Sequence, residues 1–124
     1  MIDFKNATFF KLAPIPNAQM QNILAPILLQ SEIVLCCFKG IRDCVAFTSK
    51  RIIAVNVQGV SGKKKDFTSL PYRNIQAFSV ETSGTFDNDC ELDLWFSGLG
   101  NVRLEFIKTM DITEIGRLIS EKVL

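Results

Sequence analysis

Residues 91–106 read ELDLWFSGLGNVRLEF, and this stretch decides the fold. Two runs that alternate apolar and polar residues flank Ser97-Gly98-Leu99-Gly100-Asn101, the pattern of two antiparallel strands joined by a glycine turn. Closing the turn with Ser97 opposite Asn101 sets Phe96 against Val102, Leu94 against Leu104 and Leu92 against Phe106, so that every inward pair is apolar. A slip of one residue destroys all these matches, because side chains alternate between the two faces. On the outer face the same register places Trp95 opposite Arg103 and Asp93 opposite Glu105. The first pair can stack as a cation–π contact, worth about 0.5–1 kcal/mol when exposed, and the second repels. An outward tryptophan beside Glu91, Asp93 and Glu105 is unlike an ordinary solvated face and marks a candidate interaction surface. The alternative is that the C-terminal helix or the N-terminal arm covers Trp95.

Upstream of this hairpin the period of two recurs. Residues 33–38 (Ile-Val-Leu-Cys-Cys-Phe) are apolar on both faces, which requires either the N-terminal segment or a neighbouring subunit to cover the outside of that strand. Lys39-Gly40-Ile41-Arg42 forms a turn, and residues 43–49 and 51–57 read as the next two strands, joined at Ser49-Lys50. After the glycine-bounded turn 58–62, a strand at 64–70 ends at Pro71, which cannot donate to a ladder. Residues 75–82 supply another strand, and the polar stretch 83–89 is a loop.

Helical spacing appears only at the two ends of the chain. Met20, Ile23, Leu24, Ile27 and Leu28 line one face of a helix that Pro26 should break or kink, and the segment holds no Lys or Arg, which membrane-surface helices use. Its apolar face is therefore expected to pack against the core or a subunit. At the other end, Asp111 and Glu114 make a capping box before the buried stripe Ile112, Ile115, Leu118 and Ile119, and Lys122 suits the negative end of the helix dipole. Residues 1–16 are apolar but aperiodic and carry Pro14 and Pro16, so a packed arm with at most short helical turns is expected there.

Composition narrows the functional classes. A chain of 124 residues that is 48% hydrophobic buries about two thirds of its unfolded surface, enough for one core. Ten Phe against one Trp and one Tyr make that core largely phenylalanine. Fourteen basic against thirteen acidic residues create no broad field for nucleic acid or an anionic membrane. The N-terminus lacks the basic start and apolar run of a signal peptide, and no stretch reaches the ~18 apolar residues of a membrane span, so a cytoplasmic protein is expected. Without His, the usual general base is missing, and no Ser, Cys or Lys lies in a nucleophile motif, so no enzyme activity is expected.

Cys36, Cys37, Cys44 and Cys90 have no metal-ligand spacing; a turn about Gly40-Ile41 would set Cys37 opposite Cys44, but cytosolic thiols stay reduced and pack as small hydrophobes. Asp87, Asp89 and Glu91 alternate like calcium ligands, yet Leu92 and Gly98 occupy the places that need a glycine and a carboxylate. No cofactor and no metal are expected. Lys63, Lys64 and Lys65 after Ser61-Gly62 could cradle a phosphate or an acidic partner, or could simply form a solvated hairpin tip.

Seven strands followed by one helix is the element order of the pleckstrin-homology superfold, and several stretches resemble its bacterial branch. These are Phe47-Thr48-Ser49-Lys50-Arg51-Ile52-Ile53, Gly59-Val60-Ser61-Gly62-Lys63-Lys64, and Ser69-Leu70-Pro71-Tyr72-Arg73-Asn74-Ile75 leading to Phe78-Ser79-Val80-Glu81. The likeness covers residues 17–124. It implies a seven-stranded antiparallel bent sheet or partly open barrel capped by the C-terminal helix, with residues 1–30 as an arm and helix packed on a domain of residues 31–124. It also implies a non-catalytic domain that assembles with itself into a closed cyclic ring, a pentamer, and holds an unidentified protein partner at a polar surface where neighbouring strands meet. Eukaryotic relatives that bind phosphoinositides cluster Lys and Arg at the first hairpin loop, where this chain has only Lys39 and Arg42 beside Asp43. Membrane lipid binding is therefore expected to be weak or absent; a peripheral lipid- or phosphate-binding module built on Lys63–Lys65 is the alternative to a scaffold.

Overall fold

The computed structural model describes every residue except 7, 8, 85–88 and 108. In chain order its elements are β1 (Ala13–Pro14), α1 (Asn17–Leu24), β2 (Val34–Lys39), β3 (Cys44–Thr48), β4 (Arg51–Gln58), β5 (Lys64–Pro71), a 3-10 turn (Tyr72–Asn74), β6 (Ile75–Glu81), β7 (Asp89–Phe96), β8 (Gly100–Ile107) and α2 (Ile112–Val123). The seven expected strands are β2 to β8. An eighth, β1, comes from the arm, where two residues are too few to show alternation in sequence.

The strands make two antiparallel sheets, β1-β2-β3-β4-β5 and β6-β7-β8, and these do not close into a barrel. Alternation on β2 to β5 sends Phe38, Val45, Phe47, Ile52, Ala54 and Leu70 into a central cluster shared with Leu92, Leu94, Val102, Leu104 and Phe106 of the smaller sheet. The other pleat face sends Val34, Cys37, Cys44, Ala46, Ile53 and Val55 against Met20 and Leu24 of α1. This accounts for part of the doubly apolar segment 33–38: the N-terminal helix covers Val34 and Cys37. A bulge at Leu35 interrupts β2 and leaves Leu35 at 40% exposure, and Ile33, just before the strand, is 59% exposed.

Helix α1 stops two residues before Pro26; Ala25 still holds helical φ and ψ, and Pro26, which has no N–H to donate and whose ring crowds the preceding turn, does not extend the ladder. Helix α2 is capped by the Asp111 carboxylate, which accepts from the Thr113 amide at 3.1 Å. Ile112, Ile115 and Ile119 are buried, whereas Leu118 lies only partly buried at the rim of a cleft. Lys122 reaches past its own helix end and donates to the Ser49 carbonyl at 3.1 Å, tying α2 to the β3–β4 turn.

The arm connects the sheets. Its Leu12 amide donates to the Glu105 carbonyl and the Ile107 amide donates to the Leu12 carbonyl, after which β1 pairs with β2. Gly40 makes this route possible, because a Cβ there would lie 2.7 Å from the Phe10 carbonyl oxygen. Gly40→Ala is expected to displace the arm and lower stability by about 1–3 kcal/mol, the usual cost of overpacking. Urea denaturation beside a Val60→Ala control checks this, and equal midpoints would refute the close approach.

Candidate functional site

The outer face of β6-β7-β8 holds the residues singled out around Trp95, but in a register two residues away from the expected one. Phe96 faces Gly100, Leu94 faces Val102, Leu92 faces Leu104 and Cys90 faces Phe106. A shift of two residues keeps every inward pair apolar, so alternation alone cannot detect it. The turn sets the register: Gly98 and Gly100 have φ of 83° and 93°, and the chain folds back between Phe96 and Gly100, one step earlier on each side.

The outer pairs change accordingly. Trp95 lies between Ala77 and Asn101, Asp93 between Ser79 and Arg103, and Glu91 between Glu81 and Glu105. The expected Trp95–Arg103 stack and Asp93–Glu105 repulsion are thus replaced. The Arg103 guanidinium binds Asp93 at 3.0 Å and Glu91 at 3.7 Å. Burial holds the Glu91 carboxyl above its ordinary range; the facing Glu81 and Glu105 add to the rise, and Arg103 opposes it. Glu81, Asp89, Glu91, Asp93 and Glu105 share this face with Arg103, so it is acidic in excess. Trp95 remains 52% exposed, with arm residues Met1 to Lys5 alongside it across an open cleft of about 530 Å³.

The three lysines do not form one cradle. Pleating puts Lys65 on the face of Phe67, beside α1, and Lys64 on the opposite face with Thr68 and Leu70. Lys63 and Lys65 flank a cleft of about 530 Å³ whose other walls are Asn22, Ile23, Pro26 and Phe67. In the first hairpin loop, Arg42 donates to the Gly59 carbonyl, so one of its two cations is already engaged within the fold.

The cysteines are all free, and Cys44 pairs with Lys39 rather than facing Cys37. Burial pushes the Cys36 thiol up to about 12 and that of Cys44 to about 11, and also raises Cys37 and Cys90, which keeps them protonated near neutral pH. Among the described residues no group of three or more His, Cys, Asp or Glu could hold a metal ion. Of the calcium-like triplet, Asp89 opens β7 and Glu91 lies within it, while Asp87 falls outside the described residues. No helix among the described residues is long and apolar enough to cross a membrane.

Two features escape a sequence reading. One is a cleft of about 490 Å³ between β2 and α2, walled by Leu35, Cys36, Met110, Glu114, Ile115 and Leu118. The other is an ion pair between Glu32 and Arg51, buried under the α1–β2 connection. Both join residues too far apart in sequence for spacing to reveal.

A family model described as a bacterial PH domain matches residues 3–123. The chain belongs to the bacterial PH domain family. This bacterial PH domain is 46% identical over 106 residues to the uncharacterized protein YjqA of Bacillus subtilis (strain 168), a match covering 84% of this chain and 85% of YjqA. It is 33% identical over 98 residues to the uncharacterized protein YozO of the same organism, covering 79% and 84%. Among solved structures it resembles a DUF1696-family protein with a pleckstrin-homology domain from Shewanella loihica PV-4, with TM-score 0.81 and 38% identity over 93% of this chain and 99% of that one. A pleckstrin-homology domain from Shewanella amazonensis SB2B gives TM-score 0.69 and 38% identity over 96% and 93%. The strands β2-β3-β4-β5 and β6-β7-β8 with α2 are the PH-like architecture expected from the quoted motifs.

Proposed function

We propose that this bacterial PH domain is a non-catalytic scaffold that assembles with itself into a closed ring and presents that ring to a protein partner. The observation that carries the reading is Trp95, half exposed on the central strand of an open sheet face, where a solvated strand would place a polar residue. The ring and its count of five follow the family resemblance. The absence of any His in the sequence and the burial of Cys37, Cys44 and Cys90 support a role without catalysis. Free cysteines also suit a reducing compartment, the cytoplasm.

The lipid- or phosphate-binding alternative is weakened by the separation of Lys64 from Lys63 and Lys65. Light scattering at tens of micromolar tests the scaffold. The expected mass is about five times the 13.9 kDa of one chain, and a monomer would overturn self-assembly.

A further inference from the structure

The acidic face around Trp95 and the lysine-flanked cleft lie on the outer faces of different sheets. The first covers β6-β7-β8; the second lies between α1 and β5 on the far side of the larger sheet from the shared core. The two surfaces complement each other in chemistry. Ile23, Pro26 and Phe67 give the cleft apolar walls, and Lys63 and Lys65 give it positive charge. The Trp95 face offers one large apolar ring, followed along the same face by the Asp93–Arg103 pair and then by Glu91 and Glu105; Arg103 engages Asp93 and Glu91, and the carboxylates outnumber it. The clefts at the two surfaces share no lining residue.

We propose that the Trp95 face of one copy docks into the Lys63–Lys65 cleft of a second copy, a contact that rests on the self-assembly proposed above. Trp95 stands on β7, which is hydrogen-bonded along both edges, so its backbone is already ordered before docking. Opposite charges at the rim orient the two copies, and the burial of tryptophan supplies the larger part of the affinity. Lys64, on the other pleat face, takes no part. The contact joins unlike surfaces, so it repeats head to tail and either closes into a ring or extends.

Two double variants test this in the full chain, with circular dichroism to establish that each folds. Trp95→Ala with Glu105→Lys disables the face and spares the cleft; Lys63→Glu with Lys65→Glu disables the cleft and spares the face. Each alone is expected to weaken self-association by about 30-fold or more, the loss typical of removing an interface hot spot. Mixed in equal amounts, they are expected to form a 1:1 pair in native mass spectrometry, since the intact cleft of one accepts the intact face of the other. Trp95→Ala alone serves if the double face variant does not fold. Assemblies of unchanged affinity in both double variants, or a mixture that yields no pair, would overturn this docking while leaving self-assembly standing. A monomeric unmodified protein would overturn both, and a Lys64→Glu variant as defective as the cleft variant would overturn the assignment of the cleft.

Discussion

Replacing Arg51 with Met is expected to lower the unfolding free energy by about 3–5 kcal/mol, the cost of leaving a buried charge without its partner. The Glu32 side chain is fully buried and receives two guanidinium bonds from Arg51, each 2.9 Å long, with a third from the Thr48 hydroxyl at 2.6 Å and a fourth from the Leu29 amide at 3.2 Å. Arg51 also donates to the Ile27 carbonyl and to the Ser69 hydroxyl, so one side chain holds the α1–β2 connection against β4 and β5. Burial alone would raise the Glu32 carboxyl; the bonds from Arg51, Thr48 and Leu29 outweigh it and hold the group at about 2 instead of 4.5. A depressed folded-state pKa stabilises above the unfolded value, so this contribution is complete above about pH 4.5 and is lost as the pH falls towards 2. A difference of that size corresponds to about 3 kcal/mol. Denaturation in guanidinium at pH 7 and pH 3 measures both effects. Arg51→Met should lose much of its penalty when Glu32→Gln is added, because no charge is then stranded. A loss below 1 kcal/mol at pH 7, or an acid limb that Glu32→Gln leaves unchanged, would show that the pair does not hold this corner.

Phe106→Ala is expected to cost a similar amount, about 3–5 kcal/mol, through a cavity rather than a charge. Its ring is fully buried and stands 5.0 Å from that of Phe38 at 82°, and Phe38 in turn meets Phe47 at 6.0 Å and 80°. Phe106 lies on β8, Phe38 on β2 and Phe47 on β3, so the three rings join the two sheets edge to face. Leu12 of the arm pairs with Phe106 as well, which places the arm, both sheets and the aromatic cluster at one junction. The variant should therefore expose the arm to proteolysis at lower denaturant than unfolds the rest of the chain. Thermal and urea unfolding with Val60→Ala as the exposed control would decide it; a Phe106→Ala loss within 1 kcal/mol of that control would mean the junction collapses without a cavity.

Several features of the domain could be read from residue order because they depend on local periods. The alternation in residues 91–106 identifies the last hairpin and which side chains point inward, the i, i+3, i+4 spacing identifies α1 and α2, and Pro26 and Pro71 mark where a helix and a strand stop. The run 33–38 likewise announces a strand packed on both faces, which holds for Val34, Cys37 and Phe38 but not for Ile33 and Leu35, which stay exposed. Together with the motifs around Phe47, Gly59 and Ser69, these signals were enough to reach the PH-like fold.

The candidate surface was legible only in part. Parity told which residues face outward with Trp95, but parity survives a shift of two, and it was the left-handed φ of Gly98 and Gly100 that placed Arg103 against Asp93 and left Glu91 between Glu81 and Glu105. Likewise, consecutive lysines look like one cluster on paper, whereas a strand turns successive side chains to opposite faces and so separates Lys64 from its neighbours. By itself, then, the sequence determined element type, inward and outward faces, and family, since these follow from backbone periodicity and local steric rules. Tertiary structure alone decided the register of the hairpin, the path of the arm between the sheets, the pairing of Glu32 with Arg51 and the walls of every cleft. Those arise where residues distant in the chain meet, and no short-range pattern encodes a contact that only packing can make.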